Sequence, residues 1–401
     1  MEIKVFTELL SRRVLVLDGA MGTMLQRYSL TEEDFRGERF KSHPSRLSGC
    51  NDILCVTRPD VVKEIHRAYL KAGADIISTD TFNANAVSMA DYALDELPGI
   101  IREINRAGAS LAKQVATEVP CRSWGGHVLV AGSIGPTNKS ATMSPDVADP
   151  AARNITYDQL YDAYLDQVCG LLEGGVDILL FETVFDTLNL KAGLAAAHDA
   201  MKECGLEVPV MVSATVSDKS GRTLSGQTLS AFATSVDEFS CVVTLGLNCS
   251  FGPKDIIPHL RELGNNTSCF ISVHPNAGLP DALGRYDVDA DRFIQELTPL
   301  FKDRLANIVG GCCGTSPEHI AALRKVVDTA TPHMTHNLKP ALRVSGLERV
   351  EVCPENNFLV VGERCNVAGS RKFLRLIKEK NYDAAIAIAA KQVADGAMVI
   401  Y

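Results

Sequence analysis

The chain has 401 residues, a formal net charge of −9, 46% apolar residues and 6% aromatics. Such a length suggests two to three domains with ample material for packed cores, and an acidic chain without a basic run is a poor candidate for nucleic acid or an anionic membrane surface. No apolar run approaches the roughly 18–20 residues of a membrane span, and the opening MEIKVFTELLSRRVLVLDG orders its charges and apolar residues wrongly for a signal peptide, so a cytoplasmic protein is expected, with most of its 12 Cys reduced and packed as small hydrophobes.

In chain order, short apolar runs rich in β-branched residues alternate with amphipathic stretches. The runs are VLVLD (14–18), ADIISTD (74–80), VLVAGSIG (128–135), DILLFET (177–183), PVMVSATV (209–216), VVTLGLNC (242–249), CFISVHPN (269–276) and ANIVGGCC (306–313). Near-continuous apolar strands imply burial on both faces, as in a parallel sheet. Between them, RPDVVKEIHRAYLKAGAD places Val61, Val62, Ile65, Tyr69 and Leu70 at helical spacing behind Pro59. YDQLYDAYLDQVCGLLEGGVD reads as another helix, closed by its Gly-Gly. Segments 40–58 and 138–155 read as long loops.

Eight such strands alternating with helices predict an α/β fold, a parallel (β/α)8 TIM-type barrel; the competing architecture is an open doubly wound sheet. The barrel is preferred because polar or reactive residues sit at the C-terminal ends of most strands: Asp18, Thr81, Gly135, Glu182, Ser213, Cys249, Asn276 and the pair Cys312–Cys313. A barrel gathers all those ends on one rim, where barrel active sites are built. The barrel is assigned to residues 1–331. Residues 332–356, weakly periodic and carrying three Pro, read as an interdomain linker. Residues 357–401 read as a strand, a polar loop, two helices and the start of a second strand. They are too few to bury a core of their own and are expected to be an incomplete second α/β barrel fragment.

The motif richest in chemistry is GGCCGT, Gly310–Thr315. Adjacent residues on a strand point to opposite faces, so two neighbouring thiols can converge only if the backbone turns, and the flanking glycines allow that. The alternative is a tight turn of small residues with no metal role. Two thiolates do not complete a site. Three protein ligands with one open position is the pattern of catalytic zinc, and the third should come from the same rim. Cys249 ends the sixth strand and qualifies; His274, near the end of the seventh, competes with it. Cys241 and Cys269 begin strands and belong to the opposite rim. Three thiolates on Zn²⁺ suit alkyl transfer to a thiol better than hydrolysis. There is no HExxH, zinc ribbon, GxGxxG or P-loop.

The first strand ends in LDGAMGTML. Asp18 there can meet an ammonium group or cap the next helix, and Gly19 and its neighbours offer backbone N–H groups to a carboxylate. Glu182 follows four apolar residues and must be paired or face the rim. Asp18 and Glu182 together suit the amino group of an α-amino acid. Thr81 and Asn276 are short polar groups of similar placement, each of which also has a structural reading. Asp186 reads as a helix cap.

LDGAMGTML, DTFNAN, GSIGPTN, FETVFDTLN, DKSGRTLSGQT, LGLNCSFGP, HPNAGLP and NIVGGCCGT, in this order, resemble the homocysteine-binding domain of cobalamin-dependent methionine synthase over roughly residues 5–330. VSGLERV and VGERCNVAGSRKF resemble the passage into that enzyme's methyltetrahydrofolate-binding domain. The resemblance implies zinc on Cys249, Cys312 and Cys313, with the homocysteine thiolate as fourth ligand. It implies that Asp18 and Glu182 bind the amino group and that Asn276 offers an oxygen ligand in the substrate-free site. The methyl group would come from methylcobalamin carried by another domain or protein. Arg364 and Asn366 match loop residues of the folate domain, of which only the start is present, so methyltetrahydrofolate is expected here only in so far as that start can hold a pterin. Two other readings stand beside this one: a stand-alone homocysteine S-methyltransferase using S-methylmethionine or betaine, and a zinc- and homocysteine-binding fragment without turnover.

Overall fold

The computed structural model describes residues 1–119, 126–281, 284 and 286–400. All eight expected runs form strands: β1 (Leu15–Val16), β2 (Ile76–Ser78), β3 (Leu129–Ile134), β4 (Ile178–Val184), β5 (Val210–Ala214), β6 (Val242–Asn248), β7 (Phe270–His274) and β8 (Ile308–Val309). They lie in one parallel sheet in the order β1-β8-β7-β6-β5-β4-β3-β2. A Leu17–Ile76 bridge joins the two ends, with Asp75 N–H donating to Val16 O at 2.7 Å and Asp18 N–H to Ile76 O at 3.0 Å. The sheet is a TIM-type barrel and not the open alternative.

The barrel explains why these strands are apolar throughout. Alternate residues point inward and outward. Leu15, Leu17, Ile76, Leu129, Ala131, Ile178, Leu180, Met211 and Ile308 fill the interior. Val16, Ile77, Val130, Leu179, Val212 and Val309 join the core beneath the surrounding helices. A helix not foreseen from the sequence, Ile3–Arg12, inserts Phe6, Leu9 and Leu10 into the interior set. It sits at the N-terminal ends of the strands, where Asn307 Nδ2 donates to Leu10 O at 3.1 Å. The opposite rim is left for chemistry.

The two foreseen helices form, over Pro59–Ala72 and Tyr157–Glu173. The first opens on Pro59 and stops at Gly73, whose φ of +106° is left-handed. The second starts on a Thr156–Gln159 capping box. Segment 138–155 is a loop, as expected. Segment 40–58 is not a loop throughout: a 3-10 turn (Asn51–Ile53) and a helical turn (Leu54–Thr57) bury Asp52, Ile53, Leu54 and Cys55. Its apolar run ILCV is too short to show a period, so only tertiary burial reveals it.

The seam between β1 and β2 is locked by helix Pro317–Val327. Arg324 reaches Asp75 at 2.7 Å, and the same carboxylate oxygen accepts from Val16 N–H at 2.9 Å. Asp75 is 2% exposed. Removing the guanidinium breaks a buried ion pair, which costs about 3–5 kcal/mol. Arg324→Met is therefore expected to lower stability by that amount in urea unfolding; a loss within about 0.5 kcal/mol, as for an ordinary surface change, would show the pair to be incidental.

The chain divides into two compact units, Met1–Leu338 and Lys339–Tyr401. The stretch expected to be a plain linker contains a hairpin, Arg343–Ser345 against Arg349–Glu351, turning at Gly346. Three-residue strands flanking a glycine turn are short for periodicity to register, and a cross-strand Arg343–Glu351 pair at 2.7 Å supports them. Beyond it come the expected strand, two helices and strand: Val361–Gly362, Arg371–Lys378, Tyr382–Ala394 and Val399–Ile400, the two strands pairing in parallel. Among the described apolar residues of this unit, Leu376 and Ala385 are buried while Phe358, Ile386 and Val393 are exposed. Arg364 is exposed and Asn366 half-buried in a turn, where Asn366 Oδ1 accepts from Ala368 N–H at 2.9 Å.

Candidate metal and substrate site

The rim at the C-terminal strand ends encloses a cavity of about 290 Å³ lined by Asp18, Gly19, Glu182, Cys249, His274, Cys312 and Cys313, among others. The Cys249, Cys312 and Cys313 sulfurs all lie within 4.8 Å of one another. Cys312 and Cys313 Sγ are 4.0 Å apart. A tetrahedral ion with Zn–S bonds of about 2.3 Å spaces its sulfurs by roughly 3.8 Å, so the three thiols fit zinc with a small contraction. Among the described residues, no other group of three His, Cys, Asp or Glu meets the same spacing.

Backbone turns bring the thiols together. Cys249 and Ser250 both have left-handed φ, +60° and +57°, a conformation that persists in non-glycine residues only where the surroundings enforce it. Here Cys249 N–H donates to His274 O at 3.3 Å and Phe251 N–H to Cys249 O at 2.6 Å. On the other side, Cys312 N–H donates to Pro275 O at 2.8 Å, and Cys313 O accepts from Ala277 N–H at 2.9 Å. Gly310 permits the close approach: a Cβ there would stand 2.7 Å from Leu17 Cβ. Hydrogen bonds from the Cys312 and Cys313 thiols, with help from Ser250 N–H and Asn276, hold the Cys249 thiol far below its ordinary range. Its partners move the other way: hydrogen bonding with Cys249 pushes both Cys312 and Cys313 up.

Asp18 does not cap a helix. Its carboxylate accepts from Ser78 N–H at 2.8 Å and Ser78 Oγ at 2.9 Å, across the β1–β2 seam. Burial, with a smaller contribution from nearby Glu182, pushes its pKa up to about 8. Glu182 sits on a β-bulge. Phe181 pairs with Val212 and Val184 with Ala214, so Glu182 and Thr183 together face Ser213. Bulges next to active sites re-aim side chains; this one turns Glu182 to the cavity, where Ser133 Oγ donates to it and His274 Nε2 lies 3.3 Å away. His274, the competing ligand, thus stands beside the carboxylate and outside the thiol group.

Three sequence candidates are placed differently from one another. Gly19 lines the cavity. Asn276 is 4% exposed and adjoins Cys249, and its Oδ1 has no hydrogen-bond partner among the described residues. Thr81 does not reach the cavity. Its hydroxyl turns inward to Thr79 Oγ1 at 2.6 Å and Ser133 O at 2.8 Å, the structural reading of the pair weighed above. Asp186 caps helix Thr187–Cys204, accepting from Leu188 N–H at 2.9 Å.

Sequence reasoning missed two carboxyl groups on the cavity wall, Asp52 and Asp80, 3% and 6% exposed. Burial pushes Asp52 up to about 6; burial and the Asp52 charge push Asp80 well above the carboxylate range. Asp52 lies in the segment read as loop, and Asp80 closes the second apolar run beside Thr81. Two acids spaced far apart in sequence give no sign of meeting.

The sequence profile of the homocysteine S-methyltransferase family matches residues 15–327. The chain belongs to the homocysteine S-methyltransferase family. Among solved structures, the oxidized form of the homocysteine methyltransferase MmuM from Escherichia coli is similar at 23% identity and a TM-score of 0.60, covering 78% of this chain and 95% of that one. Its metallated form is similar at 23% identity and 0.60, covering 79% and 98%, and its apo form at 23% and 0.55, covering 79% and 96%. At that identity the likeness speaks for the shared barrel. Family membership places the chain among methyltransferases that act on homocysteine. Of the described residues, no helix is long and apolar enough to cross a membrane.

Proposed function

We propose that this chain is the homocysteine-activating part of a cobalamin-dependent methionine synthase. Cys249, Cys312 and Cys313 would hold Zn²⁺, and methylcobalamin presented by another domain or polypeptide would supply the methyl group. The observation that carries the reading is the convergence of three thiols within 4.8 Å on the rim of a cavity that also exposes Asp18 and Glu182. When bound, zinc held by three thiolates supplies an electron-rich open position that favours the thiolate form of a substrate thiol.

The protein's own groups do the rest. Asp18 and Glu182 both line the cavity and are close enough to feel each other's charge, which makes them partners for the ammonium of an α-amino acid. Asp18 holds a proton at neutral pH until a cation arrives and lets it go. Ser78 and Ser133 fix the two carboxyl groups by hydrogen bonds. DKSGRTLSGQT and GERCNVAGSRKF support cobalamin as the donor's carrier. Asp52 and Asp80 favour a second reading, since a wall with two carboxyl groups suits a positively charged methyl donor such as a sulfonium or quaternary ammonium compound.

The deciding experiment loads the full chain with zinc and homocysteine and offers methylcobalamin, S-methylmethionine or betaine in turn, following methionine by mass spectrometry. Methionine from methylcobalamin alone is the expected result. Methionine from either cationic donor alone transfers the assignment to a stand-alone methyltransferase. Homocysteine binding with no turnover from any donor reduces the chain to a binding module.

A further inference from the structure

Asn248 is fully buried, 1% exposed, at the end of β6 and immediately before Cys249. Its side chain reaches across β5 to the bulge on β4. Oδ1 accepts from Thr183 N–H at 2.9 Å and from Ser213 Oγ at 2.7 Å. Nδ2 donates to Thr183 Oγ1 at 2.8 Å and to Cys312 Sγ at 3.8 Å. The amide's orientation is fixed by chemistry: the backbone N–H of Thr183 can only donate, so the oxygen must face it and the NH₂ must face the hydroxyl and the sulfur. Thr183 carries a left-handed φ of +59°, which a β-branched residue adopts only under constraint.

One side chain therefore holds the strained bulge that aims Glu182 and also donates to a thiol of the cysteine cluster. We propose that Asn248 is a positioning residue that fixes the distance between the metal-holding thiols and the substrate-binding carboxylate. It sets Cys312 for the metal through one N–H and the Glu182 turn through its oxygen and its other N–H. The inference rests on the reading of Cys249, Cys312 and Cys313 as metal ligands. Partners that orient metal ligands are typically worth about 10–100-fold in metal affinity.

The test compares zinc affinity, by chelator competition, and the thiolate-to-cobalt charge-transfer band of the Co²⁺-loaded full chain. Asn248→Asp keeps both acceptor bonds and replaces the NH₂ with a carboxylate oxygen beside Cys312. It is expected to weaken zinc binding by about tenfold or more and to shift the cobalt band. Ser213→Ala is the control: it removes a buried partner of Asn248 without touching sulfur, and should lower thermal stability while leaving zinc affinity and the band unchanged. If Asn248→Asp does not fold, Thr183→Gly relieves the left-handed turn, and the folded double variant should still bind zinc weakly. Parent-like affinity in either folded Asn248 variant overturns the proposal, as does an equal loss in Ser213→Ala. A parent chain that takes up neither zinc nor cobalt overturns the metal reading itself, a result distinct from these.

Discussion

Replacing Cys249 by alanine is expected to abolish zinc retention and homocysteine binding while leaving the barrel folded. The left-handed φ at this position is already borne by a non-glycine residue, so alanine inherits the same strain and adds none. The thiol is only partly buried, so truncation creates little cavity, and the stability change between the metal-free proteins should stay within about 1 kcal/mol. Metal binding is another matter. Apparent zinc binding free energies of about 10–16 kcal/mol are shared among four ligands in structural sites, so losing one of three thiolates should weaken binding by roughly a thousandfold or more. Metal content after dialysis and homocysteine titration read both effects. Full zinc content in Cys249→Ala would remove Cys249 from the site and reopen the case for His274.

The barrel was legible because its signal is repeated. Most of the eight apolar runs carry a polar or reactive residue at or near their C-terminal ends, and that regularity distinguishes a closed rim from an open edge. The thiol cluster was legible because Cys312 and Cys313 are adjacent and glycine-flanked, and because Cys249 ends its strand in the same way. What escaped has a common physical cause. Helix Ile3–Arg12, which plugs the barrel floor, shows its role only through the interior it fills. The bulge at Glu182–Thr183 is a matter of register between strands, which no single strand records. Asn248 reads in sequence as a polar residue preceding a candidate ligand, and its four hydrogen bonds run to three residues on three other segments. Thr81 was readable as a polar strand end but not as a side chain turned inward, because the direction depends on Thr79 and Ser133 being there to receive it.

Asp18→Asn is expected to weaken homocysteine binding by about tenfold to a hundredfold, the worth of a charged hydrogen bond of roughly 1.5–3 kcal/mol, and to change its pH dependence. The asparagine keeps an acceptor for Ser78 N–H, so the β1–β2 seam survives. In the parent, burial raises the carboxyl to about 8, against about 3.9 in an unfolded chain. A raised carboxyl favours the fold fully below the unfolded value and loses that contribution as pH climbs through the folded one. Parent stability should therefore decline between about pH 4 and 8, and that part of the decline should vanish in the variant. Binding runs the opposite way. An ammonium needs the carboxylate, so near pH 7 the parent must release Asp18's proton as the amino acid enters. Calorimetry in buffers of different ionisation enthalpy should then show one proton fewer released by Asp18→Asn than by the parent. The thiol's own proton is common to both proteins and cancels in the difference. Equal proton release with weakened binding would mean that Asp18 is already ionised in the free protein; equal release with parent-like binding would mean that it stays neutral throughout, leaving Glu182 alone to bind the ammonium.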